Sequence, residues 1–470
     1  MSYSHYDRLT ALDASFLGIE DHSCHMHVGS VGIFDAGPLR SRDGDLDMDR
    51  IMAMADAILA RHPRFRQKLA YVPLLGSPVW VDDARFNLSY HVRHAALPPP
   101  GTDRQLKRLA GRIMSQQLDR GKPLWELWYI EGLRDDRFAV IAKIHHCMVD
   151  GVAGTDLMAS MMGPDPHHVP SSKGSKWMPR PAPSALQLLT DETLRRAGLP
   201  LDVARAAGTL VAHPRRALGT LRDALGSVGE VLLASASSAT PTPLNCDIGP
   251  HRRFDWVRLD LDVVKSIKNH LGATVNDVVL AIVAGALRRF LAQRGESVDD
   301  LTFRAMIPVN MRQTSEHAQL GNRVSLMVAA LPLAEPDPVR RLQHVVETMR
   351  TLKGSNQRHG TELLAEVSDR LSGSLLTQFA RLTSRALPYN IVVTNVPGPP
   401  FPVYTLGAPL REVYPLVPLF ANQGLGIALF SYDGGLYWGF NADWDALPDL
   451  HDLVDAVAAE CETLRRAAVP

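Results

Sequence analysis

Apolar positions along this chain follow two periods, alternation by twos and stripes at about 3.6 residues, and both periods occur in each half. Met26 to Phe34 (MHVGSVGIF) combines alternation with β-branched residues and predicts a strand. Phe138 to Ile144 (FAVIAKI) is a short unbroken apolar run and predicts a buried strand. Trp80 to Val92 predicts strand material with turns. Met48 to Ala60 has helical spacing, Asp103 to Leu118 predicts an amphipathic helix with a basic face, and GTDLMASMM (154–162) is helix-like. The second half restarts with a strand at Phe254 to Leu261 and helices at Val263 to His270 and Thr274 to Arg294. Strands follow at Phe303 to Pro308, Arg323 to Leu333, Ile391 to Thr394, Gly426 to Ser431 and Leu436 to Asn441, then a helix at Asp449 to Ala467. Mixed elements in both halves give an α/β or α+β class with two lobes of similar size.

Between the halves the pattern lapses. Residues 163–183 (GPDPHHVPSSKGSKWMPRPAP) are rich in Pro, Ser, Gly and Lys and read as a surface linker. Ser184 to Ser235 is Ala/Leu/Arg-rich and helical, broken near Pro200 and Pro214. The expected division is a first lobe at 1–165, a linker and helical crossover at 166–250, and a second lobe at 251–470.

Composition narrows the function. Fifty basic and fifty acidic side chains cancel, so the chain has no broad basic field and no nucleic-acid partner is expected. Cys24, Cys147, Cys246 and Cys461 lie far apart without a CxxC pair, which predicts free thiols in a reducing compartment. The start, MSYSHYDRLT, has no charged-then-apolar leader, so a cytoplasmic location is expected. Val413 to Tyr432 is uncharged but interrupted by Pro415, Pro418, Asn422, Gln423, Gly424 and Gly426, so it reads as buried strands and turns. Membrane contact is therefore expected to be peripheral, with Ser184 to Ser235 either its candidate surface or an ordinary interlobe helical linker packed on the protein.

The chemistry is concentrated in His145-His146-Cys147-Met148-Val149-Asp150-Gly151, at the end of the run FAVIAKI. A hydroxyl that attacks an acyl group must lose its proton as the bond forms, and an imidazole with a pKa near ~6.5 accepts it at neutral pH. Adjacent strand residues point to opposite sides, so only one of His145 and His146 can face a substrate directly. Gly151 permits a tight turn, and Asp150 would orient the base or hold the loop through an arginine. Two structural histidines followed by an Asp-Gly turn are the plainer alternative. Thr274-Val275-Asn276-Asp277 resembles a capping box with Asp277 at its third helical position. It would set Asn276 at a helix N-terminus, a location suited to a developing oxyanion or to capping alone. Cys147 beside His146 suggests a Cys–His nucleophile, but successive strand side chains diverge. The cluster His22, Cys24, His25 and His27 lacks a second ligand pair at zinc-site spacing, so no metal is expected.

HHxxxDG resembles the signature of acyl-CoA-dependent acyltransferases related to chloramphenicol acetyltransferase, including peptide-synthetase condensation domains. The segments LTALDASFLGIED, MHVGSVGIFD, GKPLWELWYIEGL, ATVNDVVLAIVAGALRRFL, IPVNMR, LGNRVS, TNVPGP and GLYWGFNAD resemble the bacterial wax ester synthase/acyl-CoA:diacylglycerol acyltransferases, from near residue 9 to near residue 460. The resemblance implies two chloramphenicol-acetyltransferase-like lobes with the active site in a channel between them. His146 would be the base and Asp150 mainly structural. Long-chain acyl-CoA would be the co-substrate, with no cofactor, and diacylglycerol or, second, a fatty alcohol the acceptor. Pro123, Trp125 and Glu126 match the family's PLWE motif and would shape the acyl channel or brace the lobe. Asn276-Asp277 matches its ND motif. Asn310, Arg312 and the pair Gly321-Asn322 fall between strand-like runs, and Asn395 ends IVVTN before a Val-Pro-Gly-Pro turn. These would line or support the second-lobe side of the channel, although turn chemistry explains much of their placement. Arg66 resembles the arginine that pairs with the motif aspartate in condensation domains, so an Asp150–Arg66 pair is expected, with Arg312, Arg323 or no pair as alternatives. Such a protein would work in the cytoplasm, in peripheral contact with a membrane or lipid droplet. The rival readings are a condensation-type acyltransferase of secondary metabolism, which would take a carrier-protein thioester, and a lipid-droplet-coating protein with a dormant site, against which the intact HHxxxDG argues.

Overall fold

Strand alternation and helix capping set the local structure, and the elements appear close to where the sequence patterns place them. The computed structural model describes residues 5–148, 160–167, 177–195, 239–310, 324–354 and 389–468. The first half forms β1 (Asp7–Arg8), α1 (Ala11–Ile19), β2 (His27–Asp35), α2 (Met48–Leu59), β3 (Gln67–Tyr71), β4 (Pro78–Asp82), α3 (Leu88–His91), β5 (Val92–Ala96), α4 (Asp103–Met114), β6 (Trp125–Leu133) and β7 (Arg137–His145). Helix α5 covers 185–195. The second half forms β8 (Arg252–Asp260), α6 (Leu261–Leu271), α7 (Val275–Gln293), β9 (Phe303–Asn310), β10 (Val324–Leu331), α8 (Pro338–Gly354), β11 (Ile391–Pro397), β12 (Tyr404–Thr405), β13 (Ala408–Leu416), β14 (Leu425–Tyr432), β15 (Gly435–Asp443) and α9 (Leu450–Ala468).

Two six-stranded sheets organise these elements, with a small β1-β4-β3 sheet beside the first. The first runs β12-β13-β2-β7-β6-β5 and the second β10-β9-β11-β14-β15-β8. Apolar residues of α7, including Val278, Ile282 and Leu287, are fully buried against the second sheet and α9.

One feature was not expected from the sequence. Strands β12 and β13 come from the second half but complete the first sheet, with β13 antiparallel to β2 and Val413 opposite Gly32. The backbone of β13 also crosses β15 at close range, where an added Cβ on Gly439 would lie 1.8 Å from the Pro415 carbonyl oxygen. Only glycine allows that approach. Helix α4 makes the return contact. A Cβ on Gly111 would stand 2.8 Å from the Arg252 carbonyl oxygen, and the Arg252 N–H donates to Ser115 Oγ at 2.8 Å. A strand and a helix thus tie the halves together, and the end of β7 lies near that junction. The interrupted run 413–432 forms the end of β13, a connecting loop and β14, as its prolines and glycines predict.

Candidate active site

β7 delivers the histidine pair. His145 is the last residue of the strand, and its N–H donates to the Leu124 carbonyl at 2.9 Å. His146 opens a one-turn 3-10 segment, His146–Met148, with its N–H donating to the Met26 carbonyl at 2.7 Å. The Phe16 ring from α1 lies against the His146 ring, centroids 3.9 Å apart. Nδ1 of His146 is buried without a partner, whereas the residue as a whole is partly exposed, so the open edge carries Nε2. Burial pulls its pKa down to about 4, and the imidazole is neutral at neutral pH. Phe16 also packs with Cys24 and Met26 from the first half and Ile248 and Leu419 from the second, so the base borders an apolar cluster built by both halves.

His145 faces the other way. It is fully buried, its Nδ1 accepts the Cys147 N–H at 3.1 Å, and its Nε2 faces Glu20 Oε1 at 3.5 Å. Glu20, just past α1, also meets His27 Nε2 at 3.4 Å and takes Arg120 Nε at 3.0 Å and Nη2 at 2.6 Å on its other oxygen. Burial would raise this carboxyl, but His145, His27 and Arg120 outweigh it and hold it well below the usual carboxylate range. Lys143, on the same face of β7 as His145, is buried and donates to the Ile113 carbonyl at 2.9 Å and to the Gln116 carbonyl at the C-terminal end of α4. A cation suits that helix end, and burial lowers its pKa to about 8. Glu20, Phe16, Arg120 and Lys143 were not singled out by the sequence patterns, and His27 only as part of a cluster weighed as a metal site.

On the opposite face of β7, the residues Val140, Ala142 and Ile144 lead up to His146. A narrow apolar pocket lies on this face, lined by Gly32, Phe34, Tyr129, Val140, Ala142 and Met161 among others. The stacked rings of Phe34 and Phe138, 5.1 Å apart, lie at the end remote from His146.

Several expected site residues sit elsewhere than a channel wall. Trp125 is 2% exposed; its Nε1 donates to the Phe65 carbonyl at 2.8 Å and its ring stacks on His91 at 4.6 Å. Glu126 is buried and held by Arg93 Nη2 at 2.9 Å and Trp128 Nε1 at 2.9 Å. Pro123 is buried before them. A spent indole N–H and a neutralised carboxylate favour the brace of the first lobe over the channel wall, of the two roles expected for PLWE. Arg66 pairs with Asp56, Nη2 to Oδ1 at 2.6 Å, beneath Trp177. Asp56 lies ten residues earlier, in α2, so Arg66 already has a carboxylate partner within the first lobe. Asp150, Gly151 and Arg312 lie outside the described residues, as does the side chain of Asn310, whose backbone pairs with Val324.

The ND motif forms the capping box. Thr274 Oγ1 accepts the Asp277 N–H at 3.2 Å, and Asp277 Oδ2 accepts the Thr274 N–H at 2.9 Å. Asn395 Nδ2 donates to Asn276 Oδ1 at 3.0 Å, so the two asparagines meet. Ile391 and Val393 precede Asn395 on the face of β11 that packs on the helices, whereas Val392 faces away with Met306 and Tyr389. Asn276 therefore lies on the helix-bearing side of the second sheet. No hydrogen bond or ring contact among the described residues joins it to His146, and the capping itself is done by Thr274 and Asp277.

Cys147 is buried, and burial pushes its thiol well above its ordinary pKa, so it is not a ready thiolate. Cys147→Ala is expected to keep most of its turnover, and intact-mass spectra after mixing with acyl-CoA should show no acyl-enzyme. A rapidly forming adduct on Cys147 that passes to acceptor would overturn direct transfer. Among the described residues no group of three His, Cys, Asp or Glu side chains is arranged for a metal ion.

The buried imidazoles predict an acid-labile fold. Burial lowers His146 from 6.5 to about 4 and His27 from 6.5 to about 3. In that window the unfolded chain binds protons that the native chain does not, so stability is complete above ~6.5 and is lost as pH falls toward ~4. Urea midpoints at pH 7 and pH 5 check this: His27→Gln should shrink the difference between them, and an unchanged difference would count against it.

Comparison with known proteins agrees with this architecture. A model of the wax ester synthase/diacylglycerol acyltransferase catalytic domain matches residues 9–279, and one of the WS/DGAT C-terminal domain matches residues 320–465. A putative diacylglycerol O-acyltransferase of Mycobacterium bovis is 34% identical over 462 residues, covering 96% of this chain and 95% of its own. The solved wax ester synthase/diacylglycerol acyltransferase from Marinobacter aquaeolei VT8 superposes with a TM-score of 0.67 at 27% identity, over 98% of this chain and 99% of that one. A starter condensation domain of rhizomide synthetase, solved with C8-CoA, shares the fold with a TM-score of 0.57 at 13% identity, over 99% of this chain and 95% of that one.

Proposed function

The chain belongs to the wax ester synthase/diacylglycerol acyltransferase family, and on that premise we propose that it transfers a long-chain acyl group from acyl-CoA to the hydroxyl of diacylglycerol, with a fatty alcohol as second acceptor. The observation that carries the reading is the neutral His146 imidazole, its Nε2 edge open, at the end of a strand whose Val140 and Ala142 line an apolar pocket. Nε2 takes the proton of the acceptor hydroxyl as its oxygen attacks the thioester carbonyl. The tetrahedral adduct then collapses, the C–S bond breaks, and the departing CoA thiolate recovers the proton from the imidazolium. The apolar surroundings of His146 limit competing water. Radiolabelled acyl-CoA offered with diacylglycerols, fatty alcohols and amines tests the acceptor. Label is expected chiefly in triacylglycerol, and label confined to wax ester or amide would overturn the choice.

A cytoplasmic location with peripheral contact to a membrane or lipid droplet fits the greasy substrates. Among the described residues no single helix is long and apolar enough to cross a membrane. Within the Ser184 to Ser235 region, α5 anchors Leu188 in the core and leaves Leu186 and Leu194 exposed at 73% and 68%; residues 196–238 lie outside the described residues. Burying such a leucine in lipid gives ~1.5–3 kcal/mol. Leu186→Asp with Leu194→Asp is therefore expected to weaken liposome flotation by about tenfold or more, with wild-type binding surviving moderate salt. Equal flotation of both proteins would remove α5 as the contact.

A further inference from the structure

We propose that Glu20 is a positioning residue of the acyl-transfer centre: its buried carboxylate fixes the ring of His145 in the Nε2–H form, and His145 in turn holds the backbone turn that presents His146. The inference rests on His146 being the base. The side chains of Glu20 and His145 are 3% and 1% exposed, so neither can turn to water. The Cys147 N–H donates to His145 Nδ1 at 3.1 Å, so Nδ1 holds the lone pair and the ring proton sits on Nε2. That N–H faces Glu20 Oε1 at 3.5 Å and has no other acceptor among the described residues, while the same oxygen also has His27 Nε2 at 3.4 Å.

The remaining contacts show why the group here is a charged carboxylate. Arg120 binds the second oxygen of Glu20 through two nitrogens and also donates to the Leu17 carbonyl at 2.9 Å, fixing the carboxylate against the end of α1. His27, opposite His145 in the β2–β7 register, brings its Nε2 to the same Oε1. His27 Nε2 accepts the Leu118 N–H at 3.4 Å, so of these two imidazoles it is His145 that turns its ring proton to the first oxygen, while the second oxygen takes a guanidinium. The same α1 places Phe16 against the His146 ring, so one short helix sets the base from both sides, by packing and through the Glu20–His145–Cys147 chain.

Glu20→Gln isolates the charge at nearly constant shape. If the amide oxygen stays on Arg120, the stronger charge-assisted contact, its NH2 group faces His145 Nε2. The ring must then move its proton to Nδ1, where it opposes the Cys147 N–H and loosens the turn.

The experiment combines kinetics with nitrogen-15 histidine NMR on the full chain. The wild-type spectrum should show His145 protonated at Nε2 and not at Nδ1. Glu20→Gln should lower kcat about 10- to 100-fold, the range over which outer partners that orient a histidine act, with KM for acyl-CoA changed less than about twofold. His145→Asn keeps an acceptor for the Cys147 N–H but no longer needs a selected tautomer, so adding Glu20→Gln to it should cost little more. Wild-type His145 protonated at Nδ1, an unchanged kcat in Glu20→Gln, or fully additive losses in the double variant would each overturn the proposal. Should Glu20→Gln not fold, the wild-type tautomer decides alone. Full activity in His146→Ala would instead defeat the assignment of the base, and the two failures are distinguishable because the tautomer is read without turnover.

Discussion

His146→Ala is expected to lower kcat by about 10²–10⁴-fold, the usual contribution of a general base, with the protein still folded. The neutral ring has a buried, unpartnered Nδ1 and an open Nε2 edge, so truncation removes the proton acceptor without orphaning a hydrogen bond. KM for acyl-CoA should change little, because the interaction lost is one formed as the hydroxyl gives up its proton. The pH profile gives an independent check. With a pKa of about 4, His146 should contribute no titration step to kcat/KM between about pH 6 and 8. His145→Ala should act through the fold instead, lowering the melting temperature and reducing kcat less than His146→Ala, since His145 carries a structural bond to Cys147. Near-wild-type turnover in purified His146→Ala would sink the mechanism.

Trp125→Ala should cost about 3–5 kcal/mol of stability, the range for a large aromatic removed from a core. The ring is wedged between His91 and Phe65, and its loss also leaves the Phe65 carbonyl without its donor. Denaturant unfolding measures the loss, and acyl-CoA kinetics on the folded fraction at low temperature supply the contrast. A tryptophan lining the acyl channel would instead shift KM or chain-length preference with stability nearly intact. Observing that second pattern would restore PLWE to the substrate site and refute the brace.

These two residues show how unevenly the site could be read in advance. His146 was legible because FAVIAKI forms a buried strand and the pair directly ends it, a relation spanning a few residues. Trp125 was equally visible as a motif, but whether a large apolar ring faces a channel or a core depends on what packs over it, here Phe65 and His91. Asn276 followed the same course. Its capping box could be drawn from Thr274 and Asp277, whereas the partner of its side chain, Asn395, comes from a strand 119 residues away.

The sequence by itself determined the features governed by neighbours along the chain: the strand that ends in His145-His146, the α7 capping box, the interrupted apolar run that became strands, and the motifs that mark the family. Periodicity and capping act over one or two turns, so a linear reading captures them. Only the tertiary structure decided that β13 leaves its own half to complete the first sheet, that Arg66 pairs with Asp56, and that Glu20 lies between His27, His145 and an arginine 100 positions along the chain. A buried charge must find a complementary group wherever packing brings one, and a strand joins whichever sheet edge buries its apolar face. Both requirements are met by neighbours in space, which local sequence does not specify.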